Sequence, residues 1–323
     1  MKPTLFPISM KLPMAAGNNV EQASRLPGEH VGPSFTVGFA DGGRPDACPT
    51  LRFMGRASVR QKSSSTELPT ISKPLLRWFT WYSRRYVRRH FNTLRVTGTE
   101  LSQVQLDRPL VVYSNHASWW DPLVALLFGA EFLPGKRVFA PMDAVALERY
   151  GFFKRLGAFG VEQGTRRGGG QFLRTARAIL QESGNALWLT PQGRFADARE
   201  RPLTFKAGIG HLPGRARAIE FVPVAIEFVF WEERLPEILV RVGEPYRATL
   251  GDRAVNPEWW TAFFADRLRE TQGELVKQAQ RRDPSEFRCL LRGRAGVGGV
   301  YDRWRRFKAG WRGDQFQAEH GKL

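Results

Sequence analysis

A histidine and an aspartate stand five positions apart, as His116 and Asp121, shortly after the apolar run 110–113. That run predicts a buried strand, and reactive side chains are common where such a strand gives way to a loop. A neutral imidazole can accept a proton near neutral pH, and a carboxylate on its far nitrogen fixes the tautomer and stabilises the imidazolium. The segment could therefore supply a general base, His116, with its orienting acid, Asp121.

The same segment has a purely structural interpretation. Asp121 precedes Pro122, and an aspartate N-cap followed by a proline is a common helix start. His116 would then be an ordinary buried histidine. A helix cannot place residues at this spacing on one face, so a contact requires His116 in the loop before a helix over 122–129. The two interpretations are compatible, because one carboxylate oxygen can cap while the other holds the imidazole.

Glycines and cations recur in a second group of residues, which begins after the predicted strand 186–190. Glycine at the end of a strand lets backbone N–H groups approach a bound anion, and arginine or lysine adds charge for a phosphate or a developing oxyanion. A glycine turn with solvated cations is the alternative interpretation. The residues are Gln192, Gly193, Arg194, Lys206 and Gly208.

Composition and charge limit the class of protein. The 323 residues carry a formal net charge of +18, which favours an anionic partner such as a membrane surface, phosphorylated substrates or nucleic acid. The two cysteines, Cys48 and Cys289, form no disulfide framework and no metal cluster, which suits the cytosol. No apolar run is long enough to predict a transmembrane helix. The absence of G-x-S-x-G and G-x-G-x-x-G argues against a hydrolase or dinucleotide-binding fold.

Strand-like and helix-like runs alternate from about residue 69 onward, which predicts an α/β fold with a mixed, largely parallel sheet flanked by helices. Residues 1–68, rich in Gly, Pro and Ser, are predicted to be a disordered extension. Residues 69–250 form the predicted domain, and 251–323 a helical, basic extension. The predicted strands are 110–114, 137–140, 158–161, 186–190, 221–228 and 238–242. The predicted helices are 122–129, 143–150, 171–183 and 257–280.

The segment 74–91 mixes Trp, Phe and Tyr with five arginines, and it is predicted to form an amphipathic helix. Such a helix can lie in a membrane interface, with its rings at the headgroup level and its arginines on lipid phosphates. A plain surface helix packed on the domain is the alternative.

Four blocks in a fixed order resemble the glycerophosphate and lysophosphatidate acyltransferase family across residues 74–250. They are Asn115-His116-(four residues)-Asp121, Pro191-Gln192-Gly193, Phe205-Lys206-Ala207-Gly208 and Val222-Pro223-Val224. The resemblance implies a mixed sheet, a membrane-surface location, a thioester acyl donor and catalysis by His116 and Asp121. It also implies a substrate-binding role for a further set of residues, Asn115, Arg166, Gln192, Gly193, Arg194, Lys206 and Gly208.

Departures from the family pattern bear on the acceptor. Gln192 stands where the family has glutamate, and Phe195 stands at its arginine position, with Arg194 one residue early. Another arginine of the family pattern has no counterpart at its usual position. Arg166 or Arg167, at a shifted position in the sequence, could take its role. The family residues at these positions are associated with gripping the phosphate of the acceptor. A neutral or glycosylated lipid acceptor therefore stays open beside glycerol phosphate and lysophospholipid.

The expected activity is transfer of a fatty acyl group from acyl-CoA or acyl carrier protein to a lipid hydroxyl. No metal and no bound cofactor is expected, because the thioester is a co-substrate. The expected partners are the lipid acceptor, the acyl donor and an anionic membrane surface, with no nucleic acid. The expected location is the cytoplasmic side of a membrane, as a peripheral or monotopic protein. The alternative class is a non-catalytic basic module that binds membranes or nucleic acid.

Overall fold

The computed structural model describes residues 68–99, 104–214 and 218–294, together with 307, 308 and 311. The predicted N-terminal extension, apart from Leu68, lies outside the described residues, and so does most of the tail after residue 294. No helix in the described ranges is long and apolar enough to cross a membrane.

Five helices and nine strands form the described part of the chain. In order they are α1 Lys73–His90, β1 Thr93–Gly98, β2 Leu110–Ser114, α2 Asp121–Phe132, β3 Arg137–Asp143, α3 Ala144–Arg149, β4 Ala158–Val161, α4 Arg166–Leu180, β5 Asn185–Leu189, β6 Ala218–Val229, β7 Glu237–Val242, β8 Tyr246–Thr249, α5 Pro257–Arg281 and β9 Arg288–Arg292.

The strands form a single mixed sheet in the order β4-β3-β5-β2-β6-β7-β1-β9, with β8 paired to β6. The five strands from β4 to β6 run parallel to one another, so the carboxyl ends of β2, β5 and β6 meet at one edge. β7 and β8 are antiparallel to β6, and β9 is antiparallel to β1. The predicted fold class is confirmed.

Side chains on both faces of the sheet are buried. Along β2, Leu110 and Val112 join the apolar cluster under α1 and α2, while Val111 and Tyr113 join the cluster under α4 and α5. A strand covered by helices on both faces has no polar side, which explains why β2 is a continuous apolar run in the sequence. The same cover makes β2 the rigid base for the loop that carries His116.

The observed elements differ from the predicted ones where polar residues or glycines interrupt the pattern. β2 and β4 have the predicted bounds. α4 begins earlier than predicted because the Thr165 side chain accepts a hydrogen bond from the N–H of Gly168, which caps the helix ahead of three consecutive glycines. β1, β8 and β9 were not predicted, because polar and basic residues interrupt the apolar pattern in these strands.

The predicted C-terminal extension is part of the same folded unit. α5 buries Trp260, Phe264 and Leu268 in the cluster that also contains Tyr113 of β2. β9 follows α5 and pairs with β1, so a strand of the sheet lies in the segment that was predicted to be helical. The boundary at residue 250 therefore does not separate two folded units among the described residues.

Candidate active site

His116 and Asp121 are in direct contact in the loop where β2 gives way to α2. The Nδ1 atom of His116 lies 2.8 Å from Oδ2 of Asp121, and the same oxygen accepts a hydrogen bond from the backbone N–H of Ser118 at 3.0 Å. The Asp121 side chain is 3% exposed, whereas the His116 side chain is 21% exposed. Because the carboxylate holds Nδ1, Nε2 is the nitrogen that can meet a substrate.

The carboxylate of Asp121 does not cap α2. The helix begins at Asp121 itself, with Trp120 at the N-cap and no side-chain cap hydrogen bond. The donor to Oδ2, the N–H of Ser118, precedes the helix, and Oδ1 is buried with no hydrogen-bond partner in the described part of the chain. The predicted N-cap role of Asp121 is therefore wrong, and the carboxylate serves the imidazole instead.

Hydrogen bonds from the loop after β5 and from within β6 hold the backbone around His116. The N–H of His116 donates to Oε1 of Gln192 at 3.0 Å, and its carbonyl accepts from the N–H of Ala196 at 2.9 Å. The buried amide of Asn115 donates to the Ile226 carbonyl at 2.9 Å and accepts from the Ile226 N–H at 2.8 Å. Both polar groups of this side chain thus join the end of β2 to β6, which is a positioning role.

We expect Gln192→Met to lower kcat with little change in KM, because it keeps the length of the side chain and removes the acceptor for the His116 N–H. A buried donor left without a partner costs about 1–3 kcal/mol of stability. Gln192→Glu is the matched control, since a carboxylate can still accept this bond. Steady-state kinetics and urea unfolding of both variants check the expectation. Equal kcat for Gln192→Met and wild type would contradict it.

An aromatic side chain lies directly against the imidazole of His116, the candidate base. The ring centroid of Phe195 is 4.2 Å from that of His116 and 6.2 Å from that of Trp119. Both aromatic side chains are about half exposed. The neighbouring Arg194 is exposed and turned toward Glu200, to which its guanidinium donates. The entrance to the base is thus apolar on this side, and the predicted anion ligand Arg194 already has a carboxylate partner.

The side chain of Lys206 lies close to Gly193. A Cβ on Gly193 would lie 2.3 Å from Cε of Lys206, and the φ of Gly193 is +65°, so this position requires glycine. The Nζ of Lys206 donates to Oε1 of Gln163 at 2.9 Å, and its N–H donates to the Pro191 carbonyl at 2.8 Å. The N–H of Gly193 donates to the Thr190 carbonyl at 3.0 Å. The N–H of Gly193 is therefore already used within the turn and is not free for a ligand.

Exposed cations surround the start of α4 near Lys206. Arg166 and Arg167 are the first two residues of this helix, and both are exposed. Gln163, the partner of Lys206, lies in the loop just before the helix, and Gly208 faces the ring of Phe172 within α4. A helix N-terminus flanked by arginines attracts anions. These residues can therefore hold a phosphate group.

Two polar side chains beside residues of the site were not singled out from the sequence. Gln163 follows β4, and its place at the carboxyl end of a parallel strand was a signal that could have found it. Glu227 follows Ile226 in β6, and burial raises the pKa of its carboxyl, which Arg199 opposes and Asp197 reinforces. No group of three His, Cys, Asp or Glu side chains that could hold a metal ion occurs among the described residues.

Comparison with known proteins identifies the family of this domain. Residues 93–227 match the family model described as acyltransferase, a segment that begins with β1 and ends within β6. A crystal structure of the 1-acyl-sn-glycerophosphate (LPA) acyltransferase PlsC from Thermotoga maritima is similar over 65% of this chain and 81% of that chain. Its sequence identity is 14% and its TM-score 0.45. No curated protein matches the chain.

The match over residues 93–227 confirms the predicted family resemblance and the predicted enzyme class, an acyltransferase.

Proposed function

We propose that this acyltransferase moves a fatty acyl group from acyl-CoA or acyl carrier protein to a hydroxyl of a lysophospholipid, glycerol phosphate or related lipid. The observation that carries the proposal is the contact between His116 and Asp121 at the end of β2, inside the segment that matches the family. The carboxylate is buried and the imidazole is accessible, which is the arrangement a general base requires.

The proposed reaction is a direct displacement at the thioester carbonyl. Nε2 of His116 takes the proton of the acceptor hydroxyl while the hydroxyl oxygen attacks the carbonyl carbon. The tetrahedral oxyanion collapses, the C–S bond breaks, and the thiolate leaves with the proton that His116 returns. Asp121 stabilises the imidazolium between the two proton transfers. The N–H of Gly193 donates within its own turn, so it is not free to stabilise the oxyanion.

A phosphate on the acceptor suits the cations at the start of α4. Lys206, Arg166 and Arg167 are exposed near one another, and the helix N-terminus adds a partial positive charge. A neutral or glycosylated lipid is the second candidate. It is favoured by Phe195, which covers the imidazole with an apolar ring, and by Arg194, which is paired with Glu200.

We expect Lys206→Met to raise KM for a phosphate-bearing acceptor by about 10- to 100-fold, since hydrogen bonds to charged groups contribute about 1.5–3 kcal/mol. The KM for a phosphate-free acceptor should change little. Lys277→Met, at an exposed lysine paired with Glu274 on α5, is the matched control. Steady-state kinetics with both acceptors check this. An equal rise in KM for both acceptors would mean that Lys206 does not bind the acceptor phosphate. That result would favour the neutral or glycosylated lipid.

The surface of α1 supports the proposed location at a membrane surface. Trp78, Trp81 and Tyr82 expose their rings from one face of this helix, as interfacial helices do. Thiol release from acyl-CoA, measured against a panel of phosphorylated, neutral and glycosylated lipid hydroxyls, tests the activity directly. Vesicle binding without turnover on any acceptor would favour the non-catalytic module instead.

A further inference from the structure

Arginines line a groove on the outer surface of α1. The groove has a volume of about 370 Å³, and Arg294, which follows β9, closes it from another part of the chain. It lies apart from Lys206 and the start of α4, on the helix that covers the opposite face of the sheet. The lining residues are Trp81, Arg84, Arg85, Arg88, Arg89 and Arg294.

Among the described residues, few acidic side chains balance the positive charge of this groove. Glu131 lies 3.8 Å from Arg84, but it is shared with Arg288 at 3.3 Å. Arg85, Arg88, Arg89 and Arg294 make no salt bridge with any residue that the structure describes. Crowding arginines without counter-charges costs electrostatic energy, which a bound anion would offset.

The field of these arginines reaches a neighbouring side chain. Burial lowers the pKa of His90, and Arg89 and Arg294 lower it further, because an imidazolium beside them would be a like charge. The groove therefore disfavours an additional cation and attracts an anion. Guanidinium groups suit a phosphate in particular, because their N–H donors match its oxygens in pairs.

Exposed aromatic rings continue the same face of α1 toward its N-terminus. Trp78, Trp81 and Tyr82 are 55%, 60% and 40% exposed, and the rings of Trp78 and Tyr82 stack with their centroids 5.8 Å apart. Residues 78, 81, 82, 85, 88 and 89 follow the spacing of one helix face. Tryptophan and tyrosine prefer the headgroup level of a bilayer. Rings and phosphate-binding arginines on one face fit a membrane lipid better than a soluble polyanion.

We propose that the groove binds the phosphate of an anionic lipid headgroup and so selects anionic membranes. This deepens the proposed membrane location, on which it rests. The ring of Tyr86 in α1 lies 5.0 Å from that of Trp120, the residue before Asp121. Docking of α1 through the groove thus sets the orientation of the catalytic loop relative to the lipid surface.

Sedimentation with vesicles of phosphatidylcholine, alone or mixed with phosphatidylglycerol, tests this proposal. Each basic residue near an anionic surface contributes about fivefold in binding, so Arg88→Gln/Arg89→Gln should bind the mixed vesicles about 30-fold more weakly. Its binding to pure phosphatidylcholine should be unchanged. Arg174→Gln/Arg177→Gln, which removes the same charge from exposed positions on α4, is the matched control and should retain the preference for mixed vesicles.

Assays without anionic lipid separate this proposal from the proposed function. In neutral detergent micelles, Arg88→Gln/Arg89→Gln should turn over like wild type, whereas His116→Ala should be inactive yet keep its preference for mixed vesicles. Equal binding of the Arg88/Arg89 variant and wild type to mixed vesicles would overturn the groove proposal alone. A higher KM for acyl-CoA or acyl carrier protein in micelles would also overturn it, because the groove would then serve the donor.

Discussion

His116→Ala is expected to lower kcat by roughly 10²- to 10⁴-fold, the usual contribution of a general base. The imidazole is the partially exposed member of its pair, and its Nδ1 is held by Asp121, so Nε2 is the atom that we propose to carry the proton transfer. Removing the imidazole leaves the Asp121 carboxylate with its hydrogen bond from Ser118, and β2 with its buried contacts. The rate should therefore fall far more than the stability.

The measurement is thiol release by purified protein in neutral micelles, with thermal unfolding recorded on the same sample. His90→Ala is the matched control, since His90 is an exposed histidine at the end of α1, remote in sequence from the catalytic loop. Substantial turnover by a folded His116→Ala variant would eliminate the general-base mechanism. A variant that fails to fold would be replaced by His116→Gln, which retains more of the side-chain volume.

Glu237→Ala is expected to destabilise the fold by about 3–5 kcal/mol, the usual effect of removing one partner from a buried ion pair. The Glu237 side chain is 2% exposed, and its carboxylate accepts hydrogen bonds from Asn92, Thr93 and Arg95. The Arg95 guanidinium lies 3.3 Å from Glu237 and 5.6 Å from the centroid of Trp231. Without the carboxylate, a buried cation and two neighbouring donors lose their acceptor.

Urea unfolding of the single and double variants measures this effect. Arg95→Met/Glu237→Leu should recover much of the loss, because replacing both charges by apolar groups avoids the unpaired cation. Glu286→Ala, at a partly exposed glutamate that pairs with Arg281, is the control and should cost much less than Glu237→Ala. If Glu237→Ala lowered the free energy of unfolding no more than Glu286→Ala does, the buried ion pair would not be an important stabiliser of the contact between β1 and β7.

Local patterns predicted the central elements of the fold because those elements are buried on both faces. β2 has the predicted bounds, and it is apolar throughout because helices cover the sheet on each side. β1 could not be recognised in this way. It carries Arg95, a residue that is compatible with a buried strand because Glu237, far away in the sequence, supplies its counter-charge.

The contact between His116 and Asp121 could be predicted from the sequence, because the two residues are five positions apart and a single loop between strand and helix brings them together. The surroundings of this proposed catalytic pair could not, because they depend on how the strands are ordered in the sheet. Gln192 reaches the His116 N–H because β5 is the parallel neighbour of β2, and Ile226 holds Asn115 because β6 is its other neighbour. Strand order is a property of long-range packing and leaves no local pattern. For the same reason, the sequence contained the arginines of the α1 groove, but not their meeting with Arg294.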